Sequence, residues 1–155
     1  MFALITQVTI WGAMLVWAVA ILSGGRWAWS AGLGLYVLHI LSAYQSHYQW
    51  SHEVAIDETA RQTAEVTGWE SGAGLWFNYL FVAILAVDLV MQWKGGVRRF
   101  PKTIDGLVFL MILNGAIVFG NGPVRYFGAL LCTAILVGWI LRARGNSSPA
   151  PSPPQ

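Results

Sequence analysis

Five apolar stretches fill most of this chain, and each is close to the length that crosses a lipid bilayer. A spanning helix needs about 20 mostly apolar residues, because the hydrocarbon core is about 30 Å thick and a helix satisfies its own backbone hydrogen bonds there. The stretches are residues 2–22, 27–44, 72–93, 104–119 and 126–141. Because only 10% of the residues are charged, an ordinary soluble domain is excluded. The pattern predicts an all-α integral membrane helical bundle of about five transmembrane helices.

The chain divides into one membrane domain and a short tail. Residues 1–144 are expected to form a single transmembrane helical domain. Residues 145–155 hold four of the six prolines and three serines, a composition that cannot bury a core, so this tail is expected to be disordered. No Lys or Arg precedes the first stretch, which is also longer than the apolar region of a signal peptide. We therefore expect it to be retained as a membrane helix.

Basic residues predict the orientation, because cytoplasmic loops beside membrane spans are enriched in Lys and Arg. They cluster at Arg26, in the link 94–102, and at Arg142 and Arg144. With five spans these three regions fall on one side, which predicts a cytoplasmic C-terminus and an outer N-terminus. The polar segment 45–71 then lies outside and carries five of the seven acidic residues.

Polar and small residues within the spans predict helix packing. Asp88 and Asp105 lie near the inner ends of their spans, where ion pairs with Lys94, Arg98 or Lys102 are expected. Small residues four apart favour close approach of helix backbones. Such pairs are Ala28 with Gly32, Ser30 with Gly34, Gly128 with Cys132, and Ala134 with Gly138.

The segment 45–71 has no proline, no glycine before Gly68, and many helix-forming residues. It predicts an amphipathic outer-face helix that continues or closely follows the second span and stops at Gly68. An ion pair is expected between Asp57 and Arg61, which are four residues apart. If the helix is unbroken, one face carries His39, Ser42, Ser46, Gln49, Glu53 and Asp57.

Three histidines are candidate cofactor ligands: His39, His47 and His52. The candidate metal ligands are His47, His52, Glu53 and Asp57. His39 is the one histidine within a predicted span, where ionisable groups are costly. His47 and His52 are five residues apart, about 140° around a regular helix, so one ion would need a kink or another helix. A haem would likewise need a second ligand from outside the second span. A haem or transition metal is therefore one hypothesis.

Four segments of the chain resemble a family of small uncharacterised multi-pass bacterial membrane proteins. They read WSH at 50–52, TARQTAE at 59–65, GAGLWFNY at 72–79 and VFGNGPVR at 118–125. The resemblance covers spans two to five and implies a bacterial inner-membrane location. It implies no activity, cofactor or catalytic residue.

Three classes of function remain open. The first is a scaffold or accessory subunit whose acidic outer helix docks a membrane-protein partner or a second copy of the chain. The second is a metal or haem protein, and the third is a membrane enzyme or transporter. The sequence shows no nucleophile elbow, phosphate-binding glycine loop, paired zinc motif or inverted repeat. The lipid bilayer is the expected environment, and no nucleic-acid partner is expected.

Overall fold

The computed structural model describes residues 2–95, 98 and 100–145. These residues form helices without any strand, which confirms the all-α prediction for this part of the chain. The helices are α1 (Phe2–Ser23), α2 (Arg26–Ser46), α3 (His52–Thr67), α4 (Ala73–Trp93), α5 (Pro101–Ile112) and α6 (Pro123–Gly145). A π-helical segment, Leu113–Val118, continues α5. Gly145 ends α6, and the rest of the predicted tail lies outside the described residues.

Four helical segments are long and apolar enough to cross a membrane. They are Leu4–Ser23, Ala73–Trp93, Pro101–Val118 and Pro123–Gly145. Helix α2 has 21 residues but is more polar, since it includes Arg26, His39 and Gln45, and it is not among the four. The bundle of membrane-crossing helices is thus supported, whereas the predicted count of five spans is not established by hydropathy.

Helices α1 and α2 form a closely packed hairpin that turns at Gly24, whose φ is 74°. Trp17 on α1 is buried, and its ring centroid lies 5.1 Å from that of Tyr36 and 5.4 Å from that of Phe81. Gly32 on α2 lies directly against the Trp17 ring, so that a Cβ at this position would collide with it. The absence of a side chain at Gly32 therefore permits the α1–α2 contact.

Helix α6 packs on α1 and on the π-helical segment. A Cβ at Gly128 would overlap Ala116, and a Cβ at Gly138 would overlap Leu22. The predicted close approaches at Gly32, Gly128 and Gly138 are thus confirmed. The same prediction is wrong for Gly34, where nothing in the described chain lies within 4 Å of a Cβ.

Arg98 joins α4 to α5 through two ion pairs. Its Nε donates to Asp88 Oδ2 at 3.1 Å, and its Nη1 donates to Asp105 Oδ1 at 2.9 Å. The guanidinium lies 4.4 Å from the centroid of the Trp29 ring on α2. The expected pairing of both aspartates with a neighbouring basic residue is confirmed.

The other basic regions lie at the same end of the bundle as Arg98. Arg142 on α6 donates to the carbonyl oxygens of Ile21, at 3.0 Å, and of Leu22, at the end of α1. The guanidinium of Arg26 lies 4.6 Å from the centroid of the Trp93 ring, at the end of α4. We call this the basic end, and the opposite end the α3 end.

Helix α3 is separate from α2. The chain turns at residues 47–51, where Gln49 and Trp50 have positive φ values of 49° and 62°. Ser51 caps α3 by accepting a hydrogen bond from the backbone N–H of Val54 at 3.3 Å, and Gly68 ends the helix with a φ of 75°. The predicted helix and its stop are confirmed. The continuous face from His39 to Asp57 is not formed, because the turn interrupts it.

Candidate functional site

A cavity of about 460 Å³ lies at the α3 end and is lined by residues from all six helices and the π-helical segment. Helix α4 packs on α2 and α3, whereas α5 packs on α1 and α6. At the basic end, Arg98 joins α4 to α5. Towards the α3 end, the cavity occupies the space between these two helices. We call it the α3 cavity.

The lining of the α3 cavity combines aromatic, apolar and uncharged polar side chains. Residues of α3 that contribute are Thr59, Gln62 and Thr63. The apolar part includes Trp11, Met14, Trp17, Ile112 and Phe119, and the polar part includes Gln7, His39, Tyr48, Asn78 and Asn114. No Asp, Glu, Lys or Arg is among the lining residues that the structure describes. The cavity is therefore mostly apolar, with several polar side chains but no formally charged group among the described lining residues.

The π-helical segment forms one wall through Asn114, Gly115 and Ala116. The backbone N–H of Phe119 donates to the carbonyl oxygen of Asn114 at 3.0 Å, which is the long hydrogen bond typical of a π-turn. Such turns are rare and frequently border functional sites. No local sequence pattern predicted this departure from α-helix.

His39 lies half-buried on the cavity wall and is tied to α1. Its Nδ1 is 2.9 Å from the carbonyl oxygen of Thr6. Because a carbonyl oxygen only accepts, Nδ1 carries the hydrogen, and Nε2 of the neutral imidazole is an acceptor. No donor to Nε2 is found among the described residues. His39 therefore combines helix packing with one acceptor atom available to a ligand.

A hydroxyl–imidazole cluster holds the first residue of α3 to α2 and α4. His52 Nδ1 lies 3.1 Å from the hydroxyl of Tyr44 and 3.2 Å from that of Tyr79, and the two hydroxyls are hydrogen-bonded to each other. The His52 ring also stacks on the Tyr79 ring, with centroids 5.8 Å apart. The partners of His52 are distant in sequence, so no local pattern predicted this cluster.

The remaining candidate ligands lie apart from these groups. His47, Glu53 and Asp57 are exposed, and the His47 ring lies 6.3 Å from that of Tyr48. No three His, Cys, Asp or Glu side chains within the described part of the chain are placed to hold a metal ion. His39, His47 and His52 have separate surroundings. The described residues contain no convergent set of ligands, and the haem and metal hypotheses stay predictions.

The predicted pair of Asp57 and Arg61 is wrong. Arg61 instead bonds Glu58, with Nη2 and Oε1 2.6 Å apart, and also pairs with Glu65. Asp57, Glu58 and Glu65 all lie three or four residues from Arg61. The spacing along the helix therefore did not distinguish which of these carboxylates pairs with Arg61. Asp57 has no ion pair among the described residues.

No protein-family model, curated protein or solved structure matches this chain. The resemblance to bacterial multi-pass proteins therefore stays a prediction.

Proposed function

We propose that the chain is a five-span protein of the bacterial inner membrane, with its N-terminus outside and its C-terminus in the cytoplasm. The packing of α2 on α1 supports the fifth span. Near one end of the hairpin the hydroxyls of Thr6 and Ser46 are 3.3 Å apart, and the chain turns at Gly24 at the other. A helix of 21 residues is about 31 Å long, so α2 crosses the bilayer beside α1. The basic end then faces the cytoplasm.

Reporter fusions test this topology. A reporter active only in the cytoplasm should be active when fused after Gly95 or after Gln155, and inactive within α3 at Glu58. A reporter active only outside should give the reverse pattern. An external Gly95 would contradict the orientation, and a reporter fused after Gly24 that lies on the same side of the membrane as one at Glu58 would contradict a spanning α2.

We further propose that the protein is a scaffold or accessory subunit that docks a partner protein through α3. The observation that supports this role is the division of α3 into two faces. Ala55 and Ala60 are buried, and Gly72 lets the start of α4 approach Ile56 so closely that a Cβ would collide with it. The opposite face is exposed and charged. Helix α3 is thus held on the bundle while its other face is free for contact.

The charge of α3 favours a basic partner. The helix carries four carboxylates and one arginine, a formal charge of −3. Hydrogen bonds from Arg61 lower the pKa of Glu58, which therefore stays ionised at neutral pH. Glu53 and Asp57 are exposed and have no ion pair among the described residues. A Lys- or Arg-rich segment of a partner would be attracted to this face, and charge complementarity chiefly raises the association rate.

Site-specific photo-crosslinking in the native membrane tests the docking proposal. A photoreactive residue at Asp57 should give an adduct with a basic segment of one partner protein, whereas the same residue at the exposed Val87 on α4 should not. Charge reversal by Glu53→Lys should reduce the yield at Asp57 several-fold, and Glu53→Gln should reduce it less. An Asp57 adduct that charge reversal leaves unchanged, or no protein adduct at Asp57, would contradict the proposal.

A further inference from the structure

We propose that the α3 cavity binds an uncharged amphiphile with a hydroxyl-bearing head group. Its volume of about 460 Å³ falls within the range of about 300–1,000 Å³ found for small-molecule sites. Such sites combine mostly apolar walls with a few convergent polar groups. The α3 cavity has this composition, and it is a different surface from the exposed face of α3.

The charge of the lining residues indicates which charge a ligand can carry. None of the described lining residues is Asp, Glu, Lys or Arg. A charged head group enclosed here would lose its water without gaining an opposite charge, and an unpaired buried charge is far more costly than a hydrogen-bonded neutral group. Anionic and cationic head groups are therefore disfavoured.

The hydrogen-bonding atoms of the lining side chains indicate which head group the cavity can bind. His39 Nε2 is an acceptor and requires a donor. The side-chain amides of Gln7 and Asn114 each offer donors and an acceptor, and no partner for them is found among the described residues. A hydroxyl group donates one hydrogen bond and accepts others, so it satisfies both kinds of group. A head group that only accepts, such as a simple ester, would leave Nε2 unpaired.

The position of the π-helical segment gives an entrance from the bilayer. Asn114 and Gly115 line the cavity and are also exposed at the surface of a helix that is apolar enough to span a membrane. Met14 and Ile112, which are buried, and the half-buried Trp11 supply apolar surface in the cavity. An amphiphile would thus place its head near His39 and its apolar part along these side chains.

Native mass spectrometry of the full chain, released from detergent after delipidation, tests the inference. Titration with a monoacylglycerol should give one saturable ligand per protein, and the fatty acid of the same chain length should not displace it at neutral pH. An alkyl-substituted hydroquinone in a parallel titration distinguishes a ring-bearing from a linear ligand. Equal binding of the fatty acid would overturn the uncharged class, and no saturable binding of either neutral probe would overturn the site.

Two glycines provide matched variants. Nothing lies within 4 Å of a Cβ at Gly115 or at Gly34, but Gly115 lines the cavity and Gly34 does not. Gly115→Phe should fill the entrance and weaken binding at least tenfold, whereas Gly34→Phe should leave it unchanged. Binding that Gly115→Phe does not affect would place the ligand elsewhere and overturn the proposal.

A measurement on the unaltered chain keeps the test independent of how the variants fold. A monoacylglycerol that carries a diazirine in its acyl chain should label the peptides that contain Met14 or Ile112. Labelling confined to the exposed surface of α6, for example at Leu130 or Leu141, would overturn the inference.

Discussion

Replacing Arg98 with methionine is expected to destabilise the protein by about 3–5 kcal/mol, because it removes the ion-pair partner that the structure describes for two largely buried carboxylates. The side chains of Asp88 and Asp105 are only 9% and 17% exposed, and Arg98 bonds both. The substitution also removes the guanidinium from the face of Trp29. The free energy of unfolding can be measured by SDS titration in mixed micelles.

Neutralising the carboxylates provides the control for this prediction. The triple variant Arg98→Met, Asp88→Asn, Asp105→Asn should recover much of the lost stability, because the penalty for an unpaired buried charge is gone. Arg98→Lys should fall between the parent and Arg98→Met, since a lysine carries the charge without the planar fork that contacts both aspartates. A single Arg98→Met variant as stable as the parent would show that the pairs do not hold α4 to α5.

Gly32→Ala is expected to lower the free energy of unfolding by about 1–3 kcal/mol, the usual cost of overpacking a well-filled contact. The added Cβ would collide with the ring of Trp17, which is 1% exposed and enclosed by Tyr36 and Phe81. Either the ring must shift away from Tyr36 and Phe81 towards the α3 cavity, or α1 and α2 must separate, and both changes lose packing contacts.

Gly34→Ala is the matched control on the same helix. Its Cβ would meet nothing within 4 Å, and alanine in a helix interior is favoured over glycine by roughly 0.5–1 kcal/mol. It should therefore be neutral or slightly stabilising in the same SDS titration. Equal effects of the two substitutions would contradict the packing of Gly32 on Trp17.

The sequence by itself determined the class of protein and most of its helices. In lipid, an apolar segment long enough to span the bilayer is stable as a helix, because every backbone amide must be paired within the segment. Local chemistry likewise fixed the stop at Gly68 and the pairing of Asp88 and Asp105 with a nearby basic residue. These features depend on residues that are close together in the chain.

The tertiary structure alone decided which of several equivalent residues form a site. Gly32 and Gly34 belong to similar sequence pairs, yet only Gly32 meets Trp17. His52 bonds Tyr44 and Tyr79, eight and 27 residues away, and does not join His39 or His47. The turn at 47–51, the π-helical segment and the α3 cavity arise where several helices meet. Their physical cause is packing between distant segments, which spacing along one helix does not encode.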